Sequence, residues 1–211
     1  MRLDLYVITD EHLSGGLSHT GIARQAVQGG ADVIQLREKG LTGKELTRIA
    51  EEISSITRHA GALFIMNDRL DIALASGADG VHLGQDDLPL TAARRIAPRP
   101  FIIGVSVGTA AEAARAEADG ADYVAVGPVF PTGSKDDAGP ATGTGMVAAV
   151  RAAVTVPVIA IGGITTRNAG EIIHAGADGL AVISAVVSHD DIPAAARTLA
   201  AIIRAEKEKN P

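Results

Sequence analysis

The sequence predicts an α/β fold, a single (β/α)8 barrel of the TIM type spanning residues 1–211, and three observations carry that expectation. Eight short apolar, β-branched runs alternate with longer Ala-rich amphipathic stretches, the pattern of βα units around a parallel sheet. The tripeptide Gly-Ala-Asp precedes the second, fourth, sixth and eighth runs, at 30–32, 77–79, 120–122 and 176–178. A length of 211 residues with 46% hydrophobic content suits one continuous core.

In chain order the runs are LYVIT (5–9), VIQLR (33–37), ALFIM (62–66), GVHLG (80–84), FIIGV (101–105), YVAVG (123–127), PVIAI (157–161) and LAVIS (180–184). The helical stretches between them close on Gly or Pro. In each Gly-Ala-Asp the Gly supplies a left-handed helix cap, the Ala lets the helix end pack closely, and the Asp turns the chain into the next strand. Four such caps at alternate strands indicate a repeat of two βα units. A closed barrel accounts for it better than an open sheet, because alternate strands fill alternate interior layers. Aromatic residues are only 2% of the chain, so the core is expected to consist of Ala, Val, Ile and Leu. Gly is abundant, 24 of 211 residues, where the usual share of roughly 7% would give about 15.

A formal net charge of −6 argues against general affinity for nucleic acid or anionic membrane. The absence of cysteine excludes disulfides and thiolate metal sites and fits a reducing compartment. With no signal-peptide core and no apolar run near the ~20 residues of a membrane span, a cytoplasmic location is expected. The oligomeric state is left open, a homo-oligomer included.

In this fold the working groups follow the strands. After the second run, Gln35, Arg37 and Lys39 share one face of an extended chain, with Leu36 and Glu38 on the other. If the first face points into the barrel mouth it calls for an anionic ligand such as pyrophosphate; otherwise it is an outward, solvated strand end. The third run ends in Asn67 and Asp68 and the fourth in Gly84, Gln85, Asp86 and Asp87. Neighbouring strands lie about 4.8 Å apart, so carboxylates from both ends can converge on a magnesium ion; each Asp alone reads first as a turn former, and it is the pair beside a cationic strand that shifts the reading to a metal. The fifth run leads to Ser106, a ligand-contacting hydroxyl, and to Thr109, read as a helix cap. The sixth leads through Thr132, Gly133, Ser134 and Lys135 into a loop long enough to serve as a lid. The seventh and eighth end in Gly162, Gly163, Ile183 and Ser184, where exposed backbone N–H groups commonly bind phosphate in barrels.

Taken in order, QLREK (35–39), ND (67–68), DGVHLGQDDLP (79–89), GVS (104–106), ADYVAVGPVFPTGSK (121–135), PVIAIGGI (157–164) and ADGLAVIS (177–184) resemble the thiamine phosphate synthase family through nearly the whole chain. AIGGI alone is widespread among phosphate-binding barrels; QLREK, ND, GQDDLP and PTGSK in this order are specific. The resemblance implies a transferase that joins a hydroxymethylpyrimidine diphosphate to a thiazole phosphate and releases pyrophosphate with the help of Mg2+. It implies that Gln35, Leu36, Arg37, Glu38, Lys39, Asn67, Ser106 and Lys135 contact the diphosphate substrate, with Arg37, Ser106 and Lys135 catalytic. It further implies that Asp68 and Asp87 hold the metal, and that Thr132, Gly133, Ser134, Gly163, Ile183 and Ser184 hold the thiazole phosphate.

Two departures qualify the likeness. Many relatives carry a His two residues after the fifth-strand Ser, and this chain has Gly108 there; in the thiazole tautomerase branch of the superfamily that His is catalytic, so its absence argues against an isomerase. Asp86 and Asp87 are adjacent, and only alignment to the family pattern selects Asp87. A third reading, a non-catalytic barrel that binds a thiamine precursor, would be favoured by loss of Lys135 or of an Asp, and none is lost.

Overall fold

The computed structural model describes residues 1–134 and 139–209. In order it runs β1 (Leu5–Ile8), α1 (His19–Gln28), β2 (Val33–Leu36), α2 (Gly43–Ala60), β3 (Leu63–Asn67), α3 (Leu70–Ser76), β4 (Gly80–Leu83), α4 (Leu90–Ile96) and β5 (Ile102–Val107). It continues α5 (Ala110–Ala118), β6 (Tyr123–Val126), α6 (Gly143–Ala153), β7 (Val158–Ile161), α7 (Ala169–His174), β8 (Gly179–Val182), α8 (Ser184–Val187) and α9 (Ile192–Lys209). All eight strands are parallel, each pairs with its sequence neighbour, and β1 pairs with β8 to close the barrel. Each expected run carries a strand. The fifth extends further, to Val107, because Ser106 and Val107 remain in register with Ala125 and Val126 of β6. Among the described residues no helix is long and apolar enough to cross a membrane.

The Gly-Ala-Asp repeat is used more fully than capping requires. Gly30, Gly77, Gly120 and Gly176 have φ of 92°, 69°, 101° and 102°, the left-handed region that favours glycine, and the following alanines are buried. Each Asp then makes a reciprocal pair of bonds with one residue of the preceding odd strand. Its backbone N–H donates to the carbonyl of Leu5, Phe64, Ile103 or Val158, and its carboxylate accepts the N–H of that same residue at 2.8–3.0 Å. The four aspartates thus stitch odd strands to even strands at the entry end of the barrel. Arginines neutralise three of them: Arg2 meets Asp32, Arg94 and Arg99 meet Asp122, and Arg151 meets Asp178.

The core is chiefly Ala, Val, Ile and Leu, as composition implies, but its largest fully buried side chains include Tyr6, Tyr123 and Phe64. Both tyrosines of the chain lie inside the barrel, their hydroxyls 3.0 Å apart and their rings edge to face. Gly104 makes the room: a Cβ there would stand 1.9 Å from the Tyr123 ring. Few aromatics therefore does not mean none at the centre, because a closed barrel has one axis to fill and two large rings suffice.

Asp122 sits where a loss should be felt most, since its carboxylate serves both the Ile103 N–H and the largely buried Arg94. Asp122→Ala should lower unfolding free energy by about 3 kcal/mol in urea titrations, through an orphaned N–H and an unpaired guanidinium. Asp79→Ala, at an exposed position, should cost about 1 kcal/mol. Equal losses would show that the arginine contributes nothing to the stitch.

Candidate active site

At the exit end of the strands a cavity of about 380 Å³ is lined by Arg37 and Lys39 after β2, Asn67 and Asp68 at the end of β3, His82 and Asp86–Asp87 from β4 and its loop, Ser106 of β5, and Thr132 after β6. The cationic face of the second strand end therefore points into the mouth. Its inward direction follows from strand alternation, because Gln35, two residues earlier, is buried inside the barrel and donates to the Tyr6 hydroxyl at 2.7 Å.

Asp68 and Asp87 meet across this cavity. Asp68 is the one non-glycine residue with positive φ, 60°, among the described residues; Asp tolerates that conformation, and here it ends β3 in a turn held by Asp68 N–H to the His82 carbonyl. Asp87 is anchored by the Gly84 N–H at 2.7 Å. Half-burial, then the hydrogen bond and like charge of Asp87, push the Asp68 carboxyl up to about 6, against the pull of Lys39 and Arg37. Two acids in contact at a polar, half-buried site repel one another, and a hard cation between them would relieve that repulsion. Asp86, beside them, is exposed. Thr109 caps α5 by accepting the Glu112 N–H, as read from the sequence.

Below the cavity a chain of hydrogen bonds crosses the barrel interior. Gln35 donates to Tyr6, Tyr6 meets Tyr123, the Tyr123 hydroxyl meets His82 Nδ1 at 3.0 Å, and His82 Nε2 meets the Ser106 hydroxyl at 2.9 Å. The His82 ring stacks on Tyr123 with centroids 5.6 Å apart. Burial raises the pKa of both tyrosines above the ordinary value, so both remain neutral donors in the chain. Gln85 reaches over to the Ser106 carbonyl. Four strands and one strand-end loop thus position a single serine.

A second, smaller hollow of about 40 Å³ adjoins the first and shares Thr132, Ile161 and Gly162 with it. Ser134, Gly163, Ile183 and Ser184 complete it, with the Ser134 hydroxyl donating to that of Ser184 at 3.1 Å. Gly163, at φ 63°, is needed for packing: a Cβ there would lie 2.6 Å from the Pro131 carbonyl oxygen. The stem of the β6–α6 loop runs along this edge, Val129 and Phe130 donating to the carbonyls of Ile161 and Gly162. Lys135 lies outside the described residues.

A larger hollow, about 700 Å³, is at the opposite end of the barrel. Two of its arginines, Arg2 and Arg99, are paired with the stitching aspartates Asp32 and Asp122, which makes it a by-product of the barrel floor.

Not every residue singled out from sequence reaches the mouth. Leu36 is fully buried on the opposite strand face, Glu38 turns back to His19, and Gly133 lines neither hollow, with open space where a Cβ would be. Sequence reading also passed over His82, Tyr6, Tyr123 and Gln85. The available signals were a lone histidine inside an apolar run and two tyrosines, each inside a strand, for which a buried polar group implies a partner.

Comparison with known proteins points to one family. The family described as thiamine monophosphate synthase matches residues 5–186. The thiamine-phosphate synthase of Methanoregula boonei is 62% identical over 209 residues, covering 99% of this chain and 97% of the relative. That of Methanocella arvoryzae is 61% identical over 203 residues, 96% of each. The structure of a thiamine phosphate pyrophosphorylase from Pyrococcus furiosus superposes with a TM-score of 0.89 at 42% identity, covering 97% of this chain and 96% of that one. With family match, relatives and fold in accord over nearly its whole length, the chain belongs to the thiamine monophosphate synthase family.

Proposed function

We propose that this enzyme condenses a hydroxymethylpyrimidine diphosphate with a hydroxyethylthiazole phosphate, giving thiamine phosphate and pyrophosphate. The observation that carries the reading is the adjacency of two hollows suited to anions, one cationic with a carboxylate pair and one lined by hydroxyls and backbone, sharing Thr132, Ile161 and Gly162. Two phosphorylated substrates held there would present their reacting ends to each other.

The chemistry asks for charge neutralisation and alignment. The bond from the pyrimidine methylene to the diphosphate oxygen breaks, its electron pair leaves with pyrophosphate, and the thiazole nitrogen supplies the pair for the new carbon–nitrogen bond. Arg37 and Lys39 take up the growing charge on the leaving group, with Lys135 added from the loop. The Ser106 hydroxyl, held by His82, donates to it. Asn67 supplies a further polar contact, and the Gln35 amide stiffens the interior beneath. Thr132, Ser134, Gly163, Ile183 and Ser184 seat the thiazole phosphate. Asp68 and Asp87 fit a magnesium ion: they supply two hard oxygen donors, and with no third acidic or imidazole ligand clustered among the described residues, water and diphosphate oxygens would complete the shell. When bound, the ion supplies positive charge to the departing diphosphate. Gly108, where a tautomerase would carry its His, donates its N–H to Glu112 and offers no acid or base.

Purified protein given Mg2+ and both precursors should release one pyrophosphate per thiamine phosphate; no product above background at saturating substrate would overturn the assignment. Asp68→Ala should lower kcat/KM by about a hundredfold at a fixed Mg2+ concentration, and Mg2+ with pyrophosphate should raise the Tm of the wild-type protein but not of this variant. An unchanged metal dependence would place the metal elsewhere. Lys135→Ala should cut turnover about tenfold or more while the urea midpoint stays put, and full activity would reduce the loop to a connection.

A further inference from the structure

One buried histidine has no part in the chemistry above. His19, the first residue of α1, is 1% exposed and lies between the end of β1 and the loop after β2. Its Nδ1 is 2.7 Å from the Thr9 hydroxyl, and Thr9, itself buried, continues β1 by donating its N–H to the Gln35 carbonyl. Its Nε2 is 3.4 Å from one carboxylate oxygen of Glu38, at the long end of hydrogen bonding, and 3.8 Å from Glu11. A carboxylate only accepts, so the Nε2 facing Glu38 bears the hydrogen. Glu11 also accepts the His19 backbone N–H at 2.8 Å, and the second Glu38 oxygen accepts the Gly40 N–H at 2.5 Å.

Glu38 lies between Arg37 and Lys39, both of which line the mouth. The β2–β3 ladder ends at Leu36, so from Arg37 onward the chain leaves the sheet. Arg37 and Lys39 flank Glu38 directly, so holding the Glu38 carboxylate on His19 and on the Gly40 N–H holds the backbone from which both cations project.

We infer that His19 is a positioning residue, which by holding Glu38 through the Thr9–His19–Glu38 chain aims Arg37 and Lys39 at the diphosphate. Glu38 then touches no ligand and acts as the strut between His19 and the two cations. This rests on the diphosphate reading of the mouth.

The test measures the affinity of Mg2+-pyrophosphate by calorimetry, and KM for each substrate, in the wild type, His19→Ala, Glu38→Ala and the double variant. Each single change should weaken pyrophosphate binding and raise KM for the pyrimidine diphosphate by about tenfold or more, with KM for the thiazole phosphate unchanged. The double variant should be no worse than the poorer single one, because both break the same strut. Glu38→Gln, which keeps an acceptor for the His19 Nε2–H and the Gly40 N–H, should restore most of the affinity. Should His19→Ala fail to fold, Thr9→Val replaces it in the cycle, since that buried hydroxyl orients the ring and lines neither hollow. Losses that multiply in the double variant, or unaltered affinity in the His19 and Thr9 variants, would overturn the inference alone. No binding of Mg2+-pyrophosphate by the wild type would overturn the diphosphate reading and this inference with it.

Discussion

Pairing of β1 with β8 closes the sheet, and the rest of the molecule follows from that closure. A closed barrel has no free edge, so the register around it is determined at every strand and alternate residues must point to a common axis. That rule places Gln35 and Tyr6, His82 and Tyr123, and Ser106 in one interior. It also separates the two ends of the barrel by task. The entry end carries the aspartate stitches and their arginines, which hold strands together; the exit end carries cations, acids and hydroxyls that face solvent and ligand.

The interior is polar along its centre, which a core of this composition does not require. Buried polar groups cost free energy unless each finds a partner, and here each does, from Gln35 through two tyrosines to His82 and Ser106. The consequence is orientation. His82 contacts two hydroxyls and a stacked ring, so its plane is set from both sides, and it meets the Ser106 oxygen at the floor of the mouth. Stability and function meet at this point, because the groups that fill the barrel axis also hold a residue of the candidate site.

Charge at the mouth is similarly balanced by neighbours. Arg37 and Lys39 lower the cost of ionising Asp68, while burial and Asp87 raise it. Two cations and two adjoining acids thus share one cavity, each tempering the charge of the others. Glycines at the rim serve the protein first: Gly163 lets the loop stem approach the end of β7, and the smaller hollow forms around that contact.

Much of the fold was legible because its signals are local and repeated. Eight apolar runs give eight strands, and a left-handed glycine before each even strand is a conformational demand that sequence displays directly. The two facing acids, the cationic strand end and the hydroxyls after the sixth strand were also legible, since barrels gather whatever follows their strands. Three things were not. Alternation sets Leu36 and Glu38 on the face opposite Arg37, but which face enters the mouth was decided only by the fold, which buries Leu36 and turns Glu38 to His19. The reciprocal bonds of Asp32, Asp79, Asp122 and Asp178 reach back to the preceding strand, across 15 to 27 residues. The meeting of His82 with Tyr123, and of His19 with Glu38, joins residues 41 and 19 positions apart. By itself the sequence determined the strand count, the caps and the kinds of group at the mouth, because these depend on residue type and short spacing. Only the tertiary structure decided which buried polar residues meet, because partners across a closed barrel are chosen by register and tilt, and neither is written in any one segment.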